Sequence, residues 1–183
     1  MSHVCPIWVG RLLASPVRKL LENPTALFAP HVRESMTVLE PGPGMGFFTL
    51  PLARLVGDSG RVIAVDVQER MLEALRGRAA KAGLSERIDC RLAGDGLDPL
   101  ADLESQVDFA AAIHMVHETP DPAAFIASVA RTLKPGARFL VREPRFHVSA
   151  REFADTLRWA EDAGLRVLDP DAPANIRQAL FEK

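Results

Sequence analysis

The amino-acid sequence predicts an α/β protein built on a doubly wound, mostly parallel seven-stranded sheet, with helices on both faces and an antiparallel strand pair at the C-terminal end. Three observations predict it. Short, nearly continuous apolar runs rich in β-branched residues alternate with segments whose apolar residues recur at helical intervals, the pattern of parallel strands covered by crossover helices. Residues 37–48 join one such run to one such helical segment through three glycines at alternate positions, Gly42, Gly44 and Gly46. The last two apolar runs, residues 166–168 and 176–181, are joined by too few residues for a crossover helix, so they pair antiparallel.

Residues 7–36, ahead of the glycine turn, lack strand character. Trp8, Leu12, Leu13, Val17, Leu20 and Leu21 recur at helical spacing, with Pro16 placed to open a second helix, so two short amphipathic helices are expected. Residues 1–36 then form either an N-terminal helical lid or cap, with Cys5, Trp8 and Arg11 or Arg18 toward a ligand, or padding along the edge of the core. The first strand covers residues 37–39. A helix over 47–56 follows, with Phe48, Leu52 and Leu55 on one face and Pro51 in its early part, and Gly57-Asp58-Ser59-Gly60 ends it. Residues 61–66 read as a buried strand closed by Asp66. The next helix, 68–82, turns Met71, Leu72, Leu75 and Ala79 inward and stops at Gly83. A third strand at 88–92 leads to the turn Gly94-Asp95-Gly96. A weak helix over 99–104 precedes a fourth strand, 107–113, which runs into His114-Met115-Val116-His117-Glu118. Pro122 opens a helix to residue 132, Lys134-Pro135-Gly136 is a turn, residues 138–142 are a fifth strand, and a helix over 150–163 ends at Gly164.

Composition narrows the function classes. With 183 residues, 48% hydrophobic and 25% charged, the chain fits one globular domain with a sizeable core. A net charge of −2 argues against a nucleic-acid or anionic-membrane partner, either of which calls for a basic excess or stripe. Cys5 and Cys90 have neither disulfide-framework nor metal-ligand spacing. The opening residues show no charged segment followed by an apolar one, and no apolar run is long enough to cross a bilayer, so a cytoplasmic protein is expected.

In an open doubly wound sheet, ligands bind outside the carboxyl ends of the strands. Glu40 with the glycines, Asp66, Asp95 and His114 all fall at predicted strand C-termini and are expected to converge. Gly42, Gly44 and Gly46 remove the Cβ atoms that keep a ligand from the backbone, and the following helix points N–H groups back into the turn, so a polar or anionic group is expected there. Asp66 lies about twenty residues beyond the turn, where an acid accepts from ribose hydroxyls, so the ligand reads as a nucleoside derivative. Either acid alone has a plainer reading: Asp66 as the cap of the next helix, Asp95 as an Asx-turn residue. A dinucleotide fingerprint, Gly-x-Gly-x-x-Gly, needs its third glycine where Phe47 stands, which compromises a pyrophosphate cradle.

The spacing Glu40-x-Gly42-x-Gly44-x-Gly46, with Asp66, Asp95 and the Leu133-Lys134-Pro135-Gly136 turn, resembles the class I S-adenosylmethionine-dependent methyltransferases, small-molecule branch, over residues 37–181. The resemblance implies a Rossmann-like methyltransferase domain at 37–183 with S-adenosylmethionine as cofactor. It further implies that Gly42, Gly44 and Gly46 line the methionine part while Glu40 holds its amino group. Asp66 would bind the ribose, with Val67 and Gln68 against ribose or adenine. Asp95 would accept from the adenine amino group, beside the Gly96 backbone, and Ile113 and His114 would lie where the methyl group is presented.

Methyl transfer from a sulfonium needs an aligned lone pair, and it needs a base only where the acceptor is protonated. His114, His117, Glu118, Glu143 and His147 are candidates. His114 stands nearest the implied methyl position, as base or as pocket wall, and His117 is the second catalytic candidate. No metal site is expected, since nothing in the sequence fixes these groups in one geometry. Arg142 and Arg145 could clamp a substrate carboxylate or pair with local acids. The Asn/Asp-Pro-Pro-aromatic motif of amino-methylating DNA enzymes, the catechol-type acid cluster, and the Lys-Asp-Lys-Glu set of ribose methyltransferases are all missing, which leaves a small-molecule acceptor. Two alternatives stay open: a non-catalytic S-adenosylmethionine-binding protein, and an NAD(P)-dependent oxidoreductase.

Overall fold

The computed structural model describes residues 22–94, 98–169 and 176–183. Seven strands, β1 (Thr37–Pro41), β2 (Arg61–Asp66), β3 (Ile88–Leu92), β4 (Val107–Ile113), β5 (Leu133–Pro144), β6 (Arg166–Asp169) and β7 (Ile176–Glu182), make a sheet in the order β3-β2-β1-β4-β5-β7-β6. The pairs β1–β2, β2–β3 and β4–β5 are parallel, and β7 runs antiparallel to both β5 and β6. The helices among the described residues are α1 (Pro24–Phe28), α2 (Thr49–Leu55), α3 (Glu69–Lys81), α4 (Pro122–Thr132) and α5 (Ala150–Asp162). This is the expected α/β class with its closing antiparallel pair. Two compact units divide the chain between Pro99 and Leu100.

In the first unit, β1 and β2 are apolar almost throughout, and α3 buries Met71, Leu72, Leu75 and Ala79, the four residues its periodicity singled out. The helix after the glycine turn starts at Thr49, two residues later than expected, because residues 44–48 continue the turn. The residues from Trp8 to Leu21, which carry the expected amphipathic helices, lie outside the described residues. Helix α1 was not expected: Asn23 Oδ1 accepts from Ala26 N at 3.1 Å, Pro24 supplies the fixed φ of a first turn, and buried Phe28 meets Phe48 edge-on, ring centroids 5.8 Å apart. Gly60 lets the chain turn into β2. A Cβ there would stand 2.5 Å from Val56 O, 2.6 Å from Val56 Cβ and 2.8 Å from Met36 O, and the two carbonyls belong to backbone that cannot step aside.

In the second unit, β4 buries Val107, Phe109, Ala110, Ala111 and Ala112. Strand β5 begins at Leu133, five residues earlier than expected, so the Lys134-Pro135-Gly136 turn lies inside the strand as an irregularity. Val107 stands opposite Leu133, but Phe109 stands opposite Arg138. Gly136, at φ +77°, donates its N–H to Lys183 O at 2.7 Å, which keeps the detour bonded. The weak helix expected at 99–104 is instead a run of turns, closed by bonds from Leu103 N to Leu100 O and from Gln106 N to Leu103 O, both 3.0 Å; its burial of Leu100 and Leu103 needs no helix. A reciprocal cap opens α5: Ser149 Oγ accepts from Glu152 N at 3.2 Å, and Glu152 Oε2 accepts from Ser149 N at 2.8 Å. Among the described residues no helix is long and apolar enough to cross a membrane.

Two glycine substitutions separate backbone need from spare room. Gly60→Ala should lower stability by about 1–3 kcal/mol through overpacking. Gly77, inside α3, has nothing within 4 Å of an added Cβ, and Gly77→Ala should raise stability by about 0.5–1 kcal/mol. Urea denaturation midpoints, with unchanged slopes, check both signs.

Candidate active site

Strand β1 carries its carboxylate inward. Glu40 is only 3% exposed, and its Oε2 has no hydrogen-bond partner among the described residues. Burial pushes its pKa up to about 8, the nearby Asp66 carboxylate adding to the rise. The Thr49 hydroxyl lies close enough to work against that rise although its own hydrogen-bond geometry is not met.

In the glycine turn that follows, the N–H groups of all three glycines are bonded within the protein. Gly42 donates to Val65 O at 2.8 Å, Gly44 to Asp66 Oδ2 at 3.2 Å, and Gly46 to Pro43 O at 3.0 Å. The N–H groups of these three glycines are thus already bonded within the protein, and α2 starts beyond the turn, at Thr49. The glycines differ in purpose. A Cβ on Gly44, at φ +52°, would project into open space; one on Gly46, at φ +82°, would stand 2.4 Å from Leu75 Cδ1. Gly44 leaves its backbone uncovered, whereas Gly46 lets the turn pack on α3. Arg78 of α3 secures the same turn by donating from Nη1 to Met45 O at 2.5 Å.

Asp66, at the end of β2, accepts from Gln68 N through Oδ1 at 2.9 Å as well as from Gly44 N. Burial raises its pKa, and the backbone N–H groups of Gln68, Gly44 and Val67 oppose the rise. Val67 next to it is 61% exposed, an apolar side chain held out at the carboxyl end of the sheet. Asp95 and Gly96 lie outside the described residues. The residues that are described fit the zwitterionic nucleoside cofactor implied by the sequence. Glu40 offers an unpartnered buried oxygen to an ammonium, Asp66 keeps lone pairs for hydroxyls, and Gly44 leaves backbone uncovered. Two carboxyl groups beside a turn whose glycine N–H groups are already bonded suit a phosphate poorly.

In the second unit, Ile113 ends β4 buried, and His114 follows at φ +60°, a left-handed conformation uncommon for a residue with a Cβ. Its N–H donates to Arg142 O at 2.7 Å, continuing the β4–β5 ladder one step. The chain then makes a 3-10 turn at Val116–Glu118. Glu143, 1% exposed on β5, holds this turn: Oε1 accepts from Met115 N at 3.1 Å and Val116 N at 2.8 Å, while Oε2 pairs with His117 Nδ1. The bond to Glu143 raises the His117 pKa, partial burial opposes it, and Glu118 and Glu152 reinforce it. The His147 ring stacks on that of His117, centroids 5.7 Å apart at 15°. His117, His147 and Glu143 thus come together. From the sequence Glu143 reads only as a possible base, and the one signal of its hold on the turn is an acid placed directly after the apolar core of β5. Arg142 Nη1 reaches Gln178 Oε1 at 3.5 Å, and Arg145 is exposed. Among the described residues no group of three or more His, Cys, Asp or Glu is placed to hold a metal ion.

Fold and turn together define a doubly wound α/β protein with an open glycine turn after its first strand. The chain belongs to the methyltransferase domain family, whose model matches residues 39–141. It is similar to nocamycin O-methyltransferase of Saccharothrix syringae, 35% identical over 67% of this chain and 42% of that protein. It is also similar to a ubiquinone/menaquinone biosynthesis C-methyltransferase of Klebsiella pneumoniae, 32% identical over 61% of this chain and 44% of that one. The chain therefore spans less than half the length of these curated relatives. A crystal structure of a SAM-dependent methyltransferase from Aquifex aeolicus superposes with a TM-score of 0.83 at 26% identity, covering 97% of both chains. A [4+2]-cyclase, 24% identical with a TM-score of 0.66 over 79% of this chain and 58% of its own, shares the fold.

Glu40 makes the ligand-free protein pH-sensitive. Below its ordinary pKa of 4.5 the side chain is protonated folded and unfolded alike; between 4.5 and about 8 only the unfolded chain loses the proton, so stability falls as pH rises, and the loss levels off above about 8. Glu40→Gln should remove this fall. The stability difference between variant and wild type should grow by up to about 1.4 kcal/mol per pH unit across that window, as read by urea denaturation at a series of pH values.

Proposed function

We propose that the protein is an S-adenosylmethionine-dependent methyltransferase acting on a small molecule. The observation that carries this reading is the glycine turn itself: Gly44 uncovered, its N–H tied to Asp66, and a buried Glu40 oxygen without a partner beside it. That combination recognises an ammonium and a ribose rather than a pyrophosphate, which disfavours a nicotinamide cofactor. Membership of the methyltransferase domain family and the whole-chain likeness to a SAM-dependent methyltransferase support it.

S-adenosylmethionine, when bound, supplies an electrophilic methyl group. Glu40 would accept from the amino group, Gly42 and Gly44 would lie against the methionine part, with Gly46 setting the turn, and Asp66 would accept from the ribose hydroxyls. Val67, exposed, and Gln68 would cover ribose or adenine, with Asp95 and Gly96 at the adenine edge. Ile113 and His114 would face the acceptor, with His114 and His117 as the groups that orient it or take its proton. The O- and C-methyltransferase relatives support a small organic acceptor; no nucleic-acid or membrane partner is proposed, in keeping with the charge balance. Residues 1–36 are proposed as a cap, because the Phe28–Phe48 contact anchors their end beside the glycine turn. A composition of two cysteines in 183 residues supports a reducing compartment, the cytoplasm.

Isothermal titration tests the reading. S-adenosylhomocysteine should bind and NADH should not; the reverse pattern would sink it. Asp66→Ala should weaken S-adenosylhomocysteine by about 1–3 kcal/mol, roughly 5- to 150-fold, through lost charge-assisted hydrogen bonds. His114→Ala should lower turnover and leave that affinity nearly intact, whereas loss of both would assign His114 to the fold instead.

A further inference from the structure

The pairing of Glu143 with His117 asks for more than a loop tether. A buried carboxylate that only needed its charge satisfied already has two backbone donors, Met115 N and Val116 N, on Oε1. Its second oxygen is given to an imidazole nitrogen instead. A carboxylate accepts and cannot donate, so His117 carries its proton on Nδ1, and in the neutral ring Nε2 is then the basic nitrogen. The ring is held from two further sides: His147 stacks on it, and the 3-10 turn that bears it hangs on Glu143.

We propose that Glu143 is a positioning residue that fixes His117 as the Nδ1–H tautomer, so that His117 Nε2 serves as general base for an acceptor whose oxygen arrives protonated, a phenol, enol or alcohol. The inference rests on the methyltransferase reading and deepens it by naming the acceptor class. A thiolate or carboxylate acceptor is ionised near neutral pH and gains nothing from a carboxylate-held imidazole, whereas a hydroxyl must lose its proton as its oxygen attacks. His117 Nε2 takes that proton while the oxygen lone pair forms the O–CH3 bond, the sulfonium sulfur keeps the electron pair of the cleaved carbon–sulfur bond, and His117 then releases the proton to water. The groups facing His117 are Glu143 from β5, Glu118 from its own turn, Glu152 from α5 and the His147 ring. The three acids favour the protonated ring, so the rate of hydroxyl methylation should climb with pH and level off above the ordinary range of a histidine.

The test uses the full chain labelled with 15N-histidine. Long-range 1H–15N spectra should show the neutral His117 ring as the Nδ1–H tautomer, titrating above an ordinary histidine. In Glu143→Gln the carboxamide oxygen can still accept from the backbone N–H groups, but its NH2 now points at Nδ1. His117 should then switch to the Nε2–H tautomer and titrate lower, while Glu143→Asp should keep the original tautomer. With labelled S-adenosylmethionine and two probes, phenol and 4-nitrophenol, the latter ionised at mildly alkaline pH, His117→Gln and Glu143→Gln should each lower methylation of phenol by about 100-fold or more and of 4-nitrophenol far less. An Nε2–H tautomer in the wild type overturns the inference, as do equal losses on both phenols. Binding of S-adenosylhomocysteine with no transfer to either phenol overturns the acceptor assignment. If S-adenosylhomocysteine fails to bind, the methyltransferase reading falls instead, and the tautomer spectra alone decide the Glu143–His117 assignment.

Discussion

A buried carboxylate must be met by donors, and in this protein two such carboxylates find theirs in the backbone of the loops that leave the sheet. Asp66 takes the N–H of Gly44 and of Gln68, so the turn after β1 and the turn after β2 are tied through one side chain. Glu143 does the same for the turn after β4, taking Met115 N and Val116 N. Loops at the carboxyl ends of parallel strands are irregular and would otherwise be free to wander. Each acid converts an irregular loop into a fixed surface at the cost of desolvating a charge, which the charge-assisted bonds offset.

Glu40 stands apart from these two. It is buried as deeply as Glu143, yet one of its oxygens has no donor among the described residues, and burial drives it toward the neutral form. A protein gains no stability from that arrangement, because an unsatisfied buried acid costs free energy at every pH at which it ionises in the unfolded chain. The cost makes sense if the missing donor is a ligand. An ammonium brought to Glu40 would supply both charge and N–H groups, and the stability withheld from the empty protein would return as binding energy.

The fold was legible because its periodicities are strong: β2, β3, β4, α3 and α4 fall within a residue or so of their expected ends, and β2 closes at Asp66. What was not legible has local causes. Asn23-Pro24 is a sound helix opening, but α1 has five residues and no periodicity to announce it. The turn at Lys134-Pro135-Gly136 reads as the end of one element and the start of another. The structure bonds it into β5 through Gly136 and Lys183, a contact nearly fifty residues away that no local pattern encodes. In the site, the glycines read as one motif but divide in purpose, since the collision at Gly46 depends on Leu75 of a later helix. Glu143 was visible as an acid and invisible as an organiser, because its partners come from a segment more than twenty residues earlier.

The presence of a [4+2]-cyclase among proteins of this fold shows that the sheet does not choose the reaction. Selection of the chemistry has to lie outside the shared sheet, and the turn after β4 is one place where this chain leaves ordinary backbone, as it also does at Ser35 and Ser105. His114 accepts a left-handed backbone, which costs of order 1–3 kcal/mol for a residue with a Cβ and persists only where its surroundings over-determine it. Those surroundings are the bond to Arg142 O on one side and the Glu143 contacts on the next residues. The left-handed residue directly precedes the two N–H groups that Glu143 accepts, and the other oxygen of Glu143 meets His117. A glycine at 114 would relieve the strain and loosen the whole chain of contacts.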